Sequence, residues 1–353
     1  MKKYYSLYEK LKRDIILGEY KAGEKLPSKR VMADMMGFSL ITVENAYSIL
    51  EQEGYVVAKQ RSGYFVLEIK PLYTAQVVSS NRVKLKEPKV DEKEQFEYSL
   101  WFKTVRKVIS DKDKELFIKA PTAGCAVLRN AISDYLLRYR GISVEPKQII
   151  IGSGSEQLYE TAIKLLGRDK VYGIENPSYS QIEMVYNQEG VRVCKLDMGD
   201  DGIKSEELLA KKFDVLHVTP FNSYPSNVTA TVKKRYEYLS WSKNFDNYII
   251  EDDFASEFFM RGNPIETLYS LSGGKRVIYI NTFSKSLSSS MRLGYMIIPE
   301  DLLSIYNNKL GGFSCTVPVL DQYVLAEFIN NGSFERHLNR IRRAMNKNYD
   351  KTN

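Results

Sequence analysis

Leu7, Leu11 and Ile15 recur every four residues, the spacing of a helix that buries one stripe, and Gly18 ends the run. Residues 21–27 read as a turn. Ser28 is placed to cap a second helix carrying Val31, Met32, Met35 and Met36, which Gly37 breaks. Ser39 opens a third helix, whose apolar positions Val43, Ala46, Tyr47 and Leu50 follow the i, i+3, i+4, i+7 rule until Gly54. The period then changes. Residues 55–58 and 63–66 are β-branched and aromatic and flank a polar tip, Lys59-Gln60-Arg61-Ser62, which predicts a hairpin. Three helices with a short glycine turn before the third, then a hairpin, predict a winged helix-turn-helix over residues 1–67.

Residues 68–95 lose this periodicity and gain Lys, Glu, Ser and Pro, the composition of a linker. From about residue 96 helical patterns alternate with short apolar runs. Residues 128–139 and 156–166 read as helices. Residues 148–151, 170–174, 191–196, 214–219, 247–251, 277–281 and 294–298 read as strands. Such alternation predicts an α/β domain over residues 96–353, built on a mostly parallel sheet covered on both faces.

The candidate chemistry lies at the ends of those apolar runs. The strand-like run 277–280 leads through Asn281-Thr282-Phe283-Ser284 to Lys285, with Arg292 seven residues on. A second run, Tyr248-Ile249-Ile250, ends in Glu251-Asp252-Asp253, and Asp252 lies thirty-three residues before the lysine. An amine for an aldehyde, a carboxylate for a ring nitrogen, and hydroxyls with a guanidinium for a phosphate together suit pyridoxal phosphate. A third run, Ile149-Ile150-Ile151, enters Gly152-Ser153-Gly154-Ser155 at the start of a helix, where free N–H groups attract an anion.

Composition changes this picture little. At 353 residues the chain exceeds the usual size of one core, so two domains are expected. The net charge of +7 permits nucleic-acid contact, but residues 1–67 hold eleven Lys and Arg against eight Asp and Glu, so charge alone does not single out the head. Three scattered cysteines (Cys125, Cys194, Cys315) read as reduced residues of a cytoplasmic protein. With two histidines and no Cys-x-x-Cys, no structural metal is expected. No apolar run approaches membrane-spanning length, and no apolar stretch follows the basic start as in a signal peptide.

Leu26-Pro27-Ser28-Lys29-Arg30, Thr42-Val43-Glu44-Asn45-Ala46-Tyr47 and Leu50-Glu51-Gln52-Glu53-Gly54-Tyr55 resemble the GntR-type winged-helix head. The resemblance implies that Ser28, Lys29 and Arg30 grip the DNA backbone and a guanine edge. It implies that Thr42 and Asn45 face the major groove, and that Arg61 and Gly63 sit at the wing tip in the minor groove. One position departs. Leu40 stands where that family often has arginine, so its operator preference does not carry over.

The remainder resembles a fold-type-I aminotransferase domain, and the whole resembles the MocR-type transcription regulators. The motifs occur in that order: residues 135–141, Gly154-Ser155, Glu175-Asn176-Pro177-Ser178-Tyr179, residues 251–254, residues 282–287 and Arg292-Leu293-Gly294-Tyr295. The resemblance implies that Lys285 carries the aldehyde of pyridoxal 5'-phosphate and Asp252 pairs with its ring nitrogen. Gly154, Ser155, Thr282, Ser284 and Arg292 would hold the phosphate, Tyr179 would stack on the ring, and Asn222 would reach its phenolic oxygen. Three features depart. Phe254 replaces a usual tyrosine, residues 222–227 replace a stretch with His-Gln that ends in Gly, and Glu156 follows Ser155 where an uncharged residue is usual. A smaller C-terminal domain that supplies a carboxylate-binding arginine is expected to be missing beyond Asn353.

The resulting expectation is a cytoplasmic, homodimeric transcription regulator. It binds a double-stranded DNA operator, no membrane, and a small effector: pyridoxal phosphate, an amino acid or another amino compound. Two alternatives remain open: an aminotransferase with an accessory DNA-binding head, and a regulator whose sensor part is vestigial and binds no cofactor.

Overall fold

A computed structural model describes residues 3–68, 96–245, 247–254, 258 and 266–352. The chain divides into two compact units, Met1–Lys89 and Val90–Asn353. All but the first residue of the predicted linker 68–95 lies outside the described residues.

In the first unit, α1 (Lys3–Ile16), α2 (Lys29–Met36) and α3 (Leu40–Gln52) precede a hairpin of β1 (Val56–Lys59) and β2 (Gly63–Val66). Ser28 and Ser39 accept from the backbone N–H groups of Val31 and Thr42, so both predicted caps are formed, each contributing about 1 kcal/mol. Leu7, Leu11, Ile15, Val43, Ala46, Tyr47 and Leu50 are buried together with Leu26, Met32, Val56 and Val66. The α2 stripe differs from the expectation. Met32 and Ala33 face the core, whereas Val31 and Met35 are 50% and 67% exposed. A helix of two turns has room for one narrow contact line, and the i, i+3, i+4 pattern admits two choices. Residues 23–26, expected as a plain turn, also run beside β2: Gly23 donates to the Val66 carbonyl and Leu26 to that of Tyr64.

The second unit opens with α4 (Tyr98–Asp111) and α5 (Ala126–Arg140). It continues through β3 (Ile149–Gly152), α6 (Ser155–Leu166), β4 (Val171–Asn176), α7 (Ser180–Gln188), β5 (Arg192–Gly199), β6 (Gly202–Ile203), α8 (Ser205–Ala210), β7 (Val215–Val218) and α9 (Val232–Phe245). Then come β8 (Tyr248–Asp252), α10 (Leu268–Leu271), β9 (Val277–Thr282), β10 (Gly294–Ile297), α11 (Leu303–Leu310), α12 (Val319–Asn330) and α13 (Ser333–Thr352). Every predicted strand is present, its ends within three residues of the expected ones.

The strands form one sheet in the order β3-β10-β9-β8-β7-β4-β5-β6. β4, β5, β7, β8 and β9 run parallel where they pair, and β10 runs antiparallel to both β9 and β3. The carboxyl ends of β3, β4, β7, β8 and β9 therefore share one edge with the amino end of β10. Ile149, Ile151, Leu216, Ile249 and Tyr279 pack into one core, and their neighbours Ile150, Val215, Ile250, Ile278 and Ile280 into another. Burial on both faces explains why these strands read as continuous apolar runs. Among the described residues no helix is long and apolar enough to cross a membrane.

Candidate functional site

Open α/β sheets place ligands outside the carboxyl ends of their strands. The residues expected at the cofactor gather there by topology. Gly154 and Ser155 follow β3, Tyr179 follows β4, Asn222 follows β7, Asp252 ends β8, and Thr282 ends β9 just before Ser284 and Lys285. Arg292 precedes β10, whose Gly294 lies opposite both Gly152 of β3 and Thr282 of β9.

Asp252 is buried among these groups, 4% exposed. The Tyr159 hydroxyl donates to its Oδ2, and Nε2 of His217 lies 4.0 Å from the same oxygen. His217 is held by a 2.7 Å hydrogen bond between its Nδ1 and the Tyr186 hydroxyl, and its Nε2 has no hydrogen-bond partner. Burial pushes the Asp252 pKa up to about 7, against the Tyr159 hydrogen bond that lowers it. Burial pushes His217 down to about 3, so the imidazole is neutral. The adjacent Asp253 turns into the fold, accepting from Arg140 and from the Tyr279 hydroxyl at 2.8 Å each.

Lys285 lies in the loop after β9, its Nζ 4.0 Å from the centre of the Phe254 ring. Its pKa is lowered by desolvation and partly restored by the charge of Asp252, which ties the amine to the carboxyl electrostatically. Lys285 is nonetheless an exposed residue, and Phe254 sets a ring beside its amine without offering a hydroxyl. At the other end Arg292 adopts a left-handed backbone (φ 39°) and lays its guanidinium over Gly154. Gly154 has φ 105°, a conformation that favours glycine, and a Cβ there would stand 2.8 Å from an Arg292 nitrogen and push the guanidinium aside. The guanidinium pairs with the Glu156 carboxylate. Tyr179 lies near both: the charges of Glu156, Arg292 and Asp252 all act on its hydroxyl.

Thr282 and Ser284 are half-buried beside this loop, and Ser155 is the first residue of α6. Asn222, also left-handed (φ 53°), donates its backbone N–H to the Thr229 hydroxyl. Next to it the Ser223 hydroxyl donates to Glu175 at 2.6 Å, and the Thr219 N–H donates to the other oxygen of that carboxyl. Burial raises the pKa of Glu175 to about 8.

In the first unit, Ser28 caps α2 and Arg30, its second residue, is exposed. Lys29 is engaged rather than free. It pairs with Glu44 of α3 at 2.5 Å and lies 5.6 Å from the Tyr64 ring of the hairpin. Thr42 shares a hydrogen bond with Ser39, and Asn45 is exposed further along α3. Leu40 and Ile41, at the start of that helix, are 45% and 70% exposed. Arg61 sits at the hairpin tip with φ 60°, and Gly63 with φ 113°.

Comparison with known proteins is consistent across both units. Residues 3–66 match the bacterial regulatory proteins of the gntR family, and residues 88–352 match aminotransferase class I and II. The chain is 31% identical to the HTH-type transcriptional regulator YdeL of Bacillus subtilis, over 98% of this chain and 77% of that protein. It is 28% identical to the probable rhizopine catabolism regulatory protein MocR of Rhizobium meliloti, over 96% of this chain and 73% of that one. The chain belongs to the MocR-type regulators. A MocR-type regulator binds DNA through its gntR head, and its larger part is an aminotransferase-like fold. The kynurenine aminotransferase of Pyrococcus horikoshii, solved with PMP, matches that part with a TM-score of 0.62 at 26% identity. The match covers 70% of this chain and 64% of that enzyme, under two thirds of its length.

The pocket of this MocR-type chain fits pyridoxal phosphate at two of three places. Asp252 is a buried carboxyl, and among the described residues no arginine or lysine forms an ion pair with it; a protonated ring nitrogen would supply that cation. Lys285 presents an amine beside a ring. The phosphate end offers Arg292, Gly154 and the first turn of α6, but Glu156 already stands against the guanidinium. Sequence reasoning missed Tyr159, His217, Tyr186 and the role of Glu175. Tyr159 had a signal, since it follows Ser155 by one helical turn and so faces the same edge. A histidine inside an apolar strand carried none.

Proposed function

We propose that the aminotransferase-like part of this MocR-type regulator binds pyridoxal phosphate, alone or carrying an amino compound, as its effector. We propose further that the protein works in the cytoplasm as a homodimer on a two-half-site operator. The observation that supports the reading is the convergence on one sheet edge of a partly desolvated lysine, a buried carboxyl in ion-pair contact with no lysine or arginine among the described residues, and a guanidinium laid over a glycine. Bound there, pyridoxal phosphate supplies an aldehyde that amines can attack.

The chain's own residues hold and orient. Asp252 offers an anion at the buried end, and Tyr159 fixes which oxygen faces the pocket. A lowered pKa raises the fraction of Lys285 that is neutral and nucleophilic at pH 7. Tyr179 provides a ring at the open side, and Thr282, Ser284, Ser155 and Arg292 offer donors to an anion. Ser28, Lys29, Arg30, Thr42, Asn45, Arg61 and Gly63 form the surface proposed to meet DNA. Lys29 must leave Glu44 or share its charge when it meets a phosphate. An effector that favours one arrangement of two heads selects the half-site spacing they bridge. The enzyme reading is weaker, because Phe254 offers no hydroxyl beside Lys285.

Titration of the purified protein with pyridoxal phosphate, followed by borohydride reduction and peptide mass analysis, tests this. A visible absorption band and a pyridoxyl group on Lys285 are expected, both lost in Lys285→Ala. Operator retention should change when the band saturates. A wild-type protein that takes no pyridoxyl group leaves the DNA-binding role intact and removes the effector.

A further inference from the structure

The guanidinium of Arg292 and the first turn of α6 form an anion seat, and the seat already holds an anion. The backbone explains how. Gly294 pairs with Gly152, so the segment entering β10 lies against the segment leaving β3. Arg292, two residues before Gly294, turns left-handed and reaches across Gly154, where a side chain would collide with it. Glu156 is the second residue of α6 and the acidic residue of its first turn. Its carboxylate therefore occupies the guanidinium a phosphate would use there, beside the helix start whose N–H groups attract an anion.

We infer that Glu156 is a built-in competitor for the phosphate of pyridoxal phosphate, so that the phosphorylated ligand is held loosely and exchanges instead of staying resident. This rests on the pocket binding pyridoxal phosphate as proposed above. A phosphate ester carries close to two negative charges at neutral pH. Seating it beside Arg292 requires the Glu156 carboxylate to leave the guanidinium, or leaves two anions a few ångströms apart. The carboxylate has somewhere to go, because the Glu156 side chain is 40% exposed and that of Arg292 51%. Displacement is therefore open to the ligand but opposed by charge. Unphosphorylated pyridoxal meets no such opposition, since it has no phosphate to seat at Arg292, while Lys285 and Asp252 would serve its aldehyde and ring nitrogen. A regulator benefits from this, because a sensor whose ligand never leaves reports nothing about concentration.

The test compares dissociation constants for pyridoxal phosphate and pyridoxal, read from the absorption band, in wild type and Glu156→Gln. Glutamine keeps the length and hydrogen bonding of the side chain at a half-exposed position, so the fold is retained. The expected result is that Glu156→Gln tightens pyridoxal phosphate by about tenfold (~1.4 kcal/mol). Pyridoxal should change by no more than about twofold, within the range of a lost surface charge. Inorganic phosphate should compete with pyridoxal phosphate more strongly in the variant than in wild type. If both aldehydes bind and the substitution moves neither, or moves both equally, Glu156 does not compete for the phosphate. If neither aldehyde binds either protein, the cofactor reading itself fails and this inference falls with it.

Discussion

Replacing Asp252 with asparagine removes a charge from the buried end of the pocket while keeping an oxygen for the Tyr159 hydroxyl. In the ligand-free protein that charge is costly. Burial lifts the carboxyl from its ordinary 3.8 to about 7, and at ~1.4 kcal/mol per pH unit this is on the order of 4 kcal/mol. A carboxyl whose folded pKa lies above its unfolded one binds more protons folded than unfolded. Stability is therefore lost as pH rises from about 4 through 7, and the loss is complete by about pH 8. Asp252→Asn should accordingly be more stable than wild type by about 2–4 kcal/mol at pH 8, with less than half that advantage at pH 5. Glu251, raised to about 8 by burial, acts in the same direction but is common to both proteins and cancels, whereas Glu175, raised to about 8 by burial and in part by the charge of Asp252, relaxes in the variant and adds to its advantage at high pH. His217, lowered to about 3, acts oppositely, favouring the fold as pH climbs from 3 to 6.5, and it too cancels. Urea unfolding followed by tryptophan fluorescence reads the difference, because Trp101 and Trp241 both lie in the second unit. The same variant should bind pyridoxal phosphate about tenfold to a hundredfold more weakly, from the ~1.5–3 kcal/mol of a hydrogen bond to a charged group. A variant no more stable than wild type at pH 8, or equally advantaged at pH 5, would refute the placement of an unpaired charge at this site.

Two further outcomes are expected. Arg30→Ala, at an exposed position in the first turn of α2, should weaken retention on all DNA sequences alike and lower the slope of log affinity against log salt by about 1; a slope unchanged within error excludes a phosphate contact. Arg140→Ala should cost about 3–5 kcal/mol of stability, since the Arg140 and Asp253 side chains are 1% and 0% exposed and the buried carboxylate would lose its guanidinium. Urea midpoints that match wild type would show that Asp253 does not need the pair.

The helices of the head and the strands of the larger part were legible because each buries a regular set of positions. Leu7, Leu11 and Ile15 can face only one way, and Ile249-Ile250 can be only a strand covered on both faces. The place of β10 was not legible. Its run 294–298 has the same apolar character as its neighbours, and direction within a sheet is fixed by the connections that lead into it. At the site, the motifs placed Lys285, Asp252 and Arg292 on loops at strand ends, and the sheet order then assembled them. The pairing of Glu156 with Arg292 joins residues far apart in sequence, and local spacing carries no trace of it. Tyr159 and His217 escaped notice for a related reason. An aromatic ring on a helix face and an imidazole in an apolar strand look like core until a carboxyl appears between them.

The insertion of β10 also constrains how the chain comes together. Among the described residues β3 meets the sheet only through β10. A ribosome that has released β3, α6 and everything through β9 has still not produced the strand that fastens the first of these to the last. Until residue 297 has emerged, Gly154 and Ser155 are tied to the Lys285 loop only through α6, whose Tyr159 meets Asp252, and not through the sheet. Such distant pairing is slow. The anion seat is thus among the final parts of the molecule to be assembled, and a nascent or nicked chain that has lost β10 would keep its DNA-reading head while being blind to the ligand.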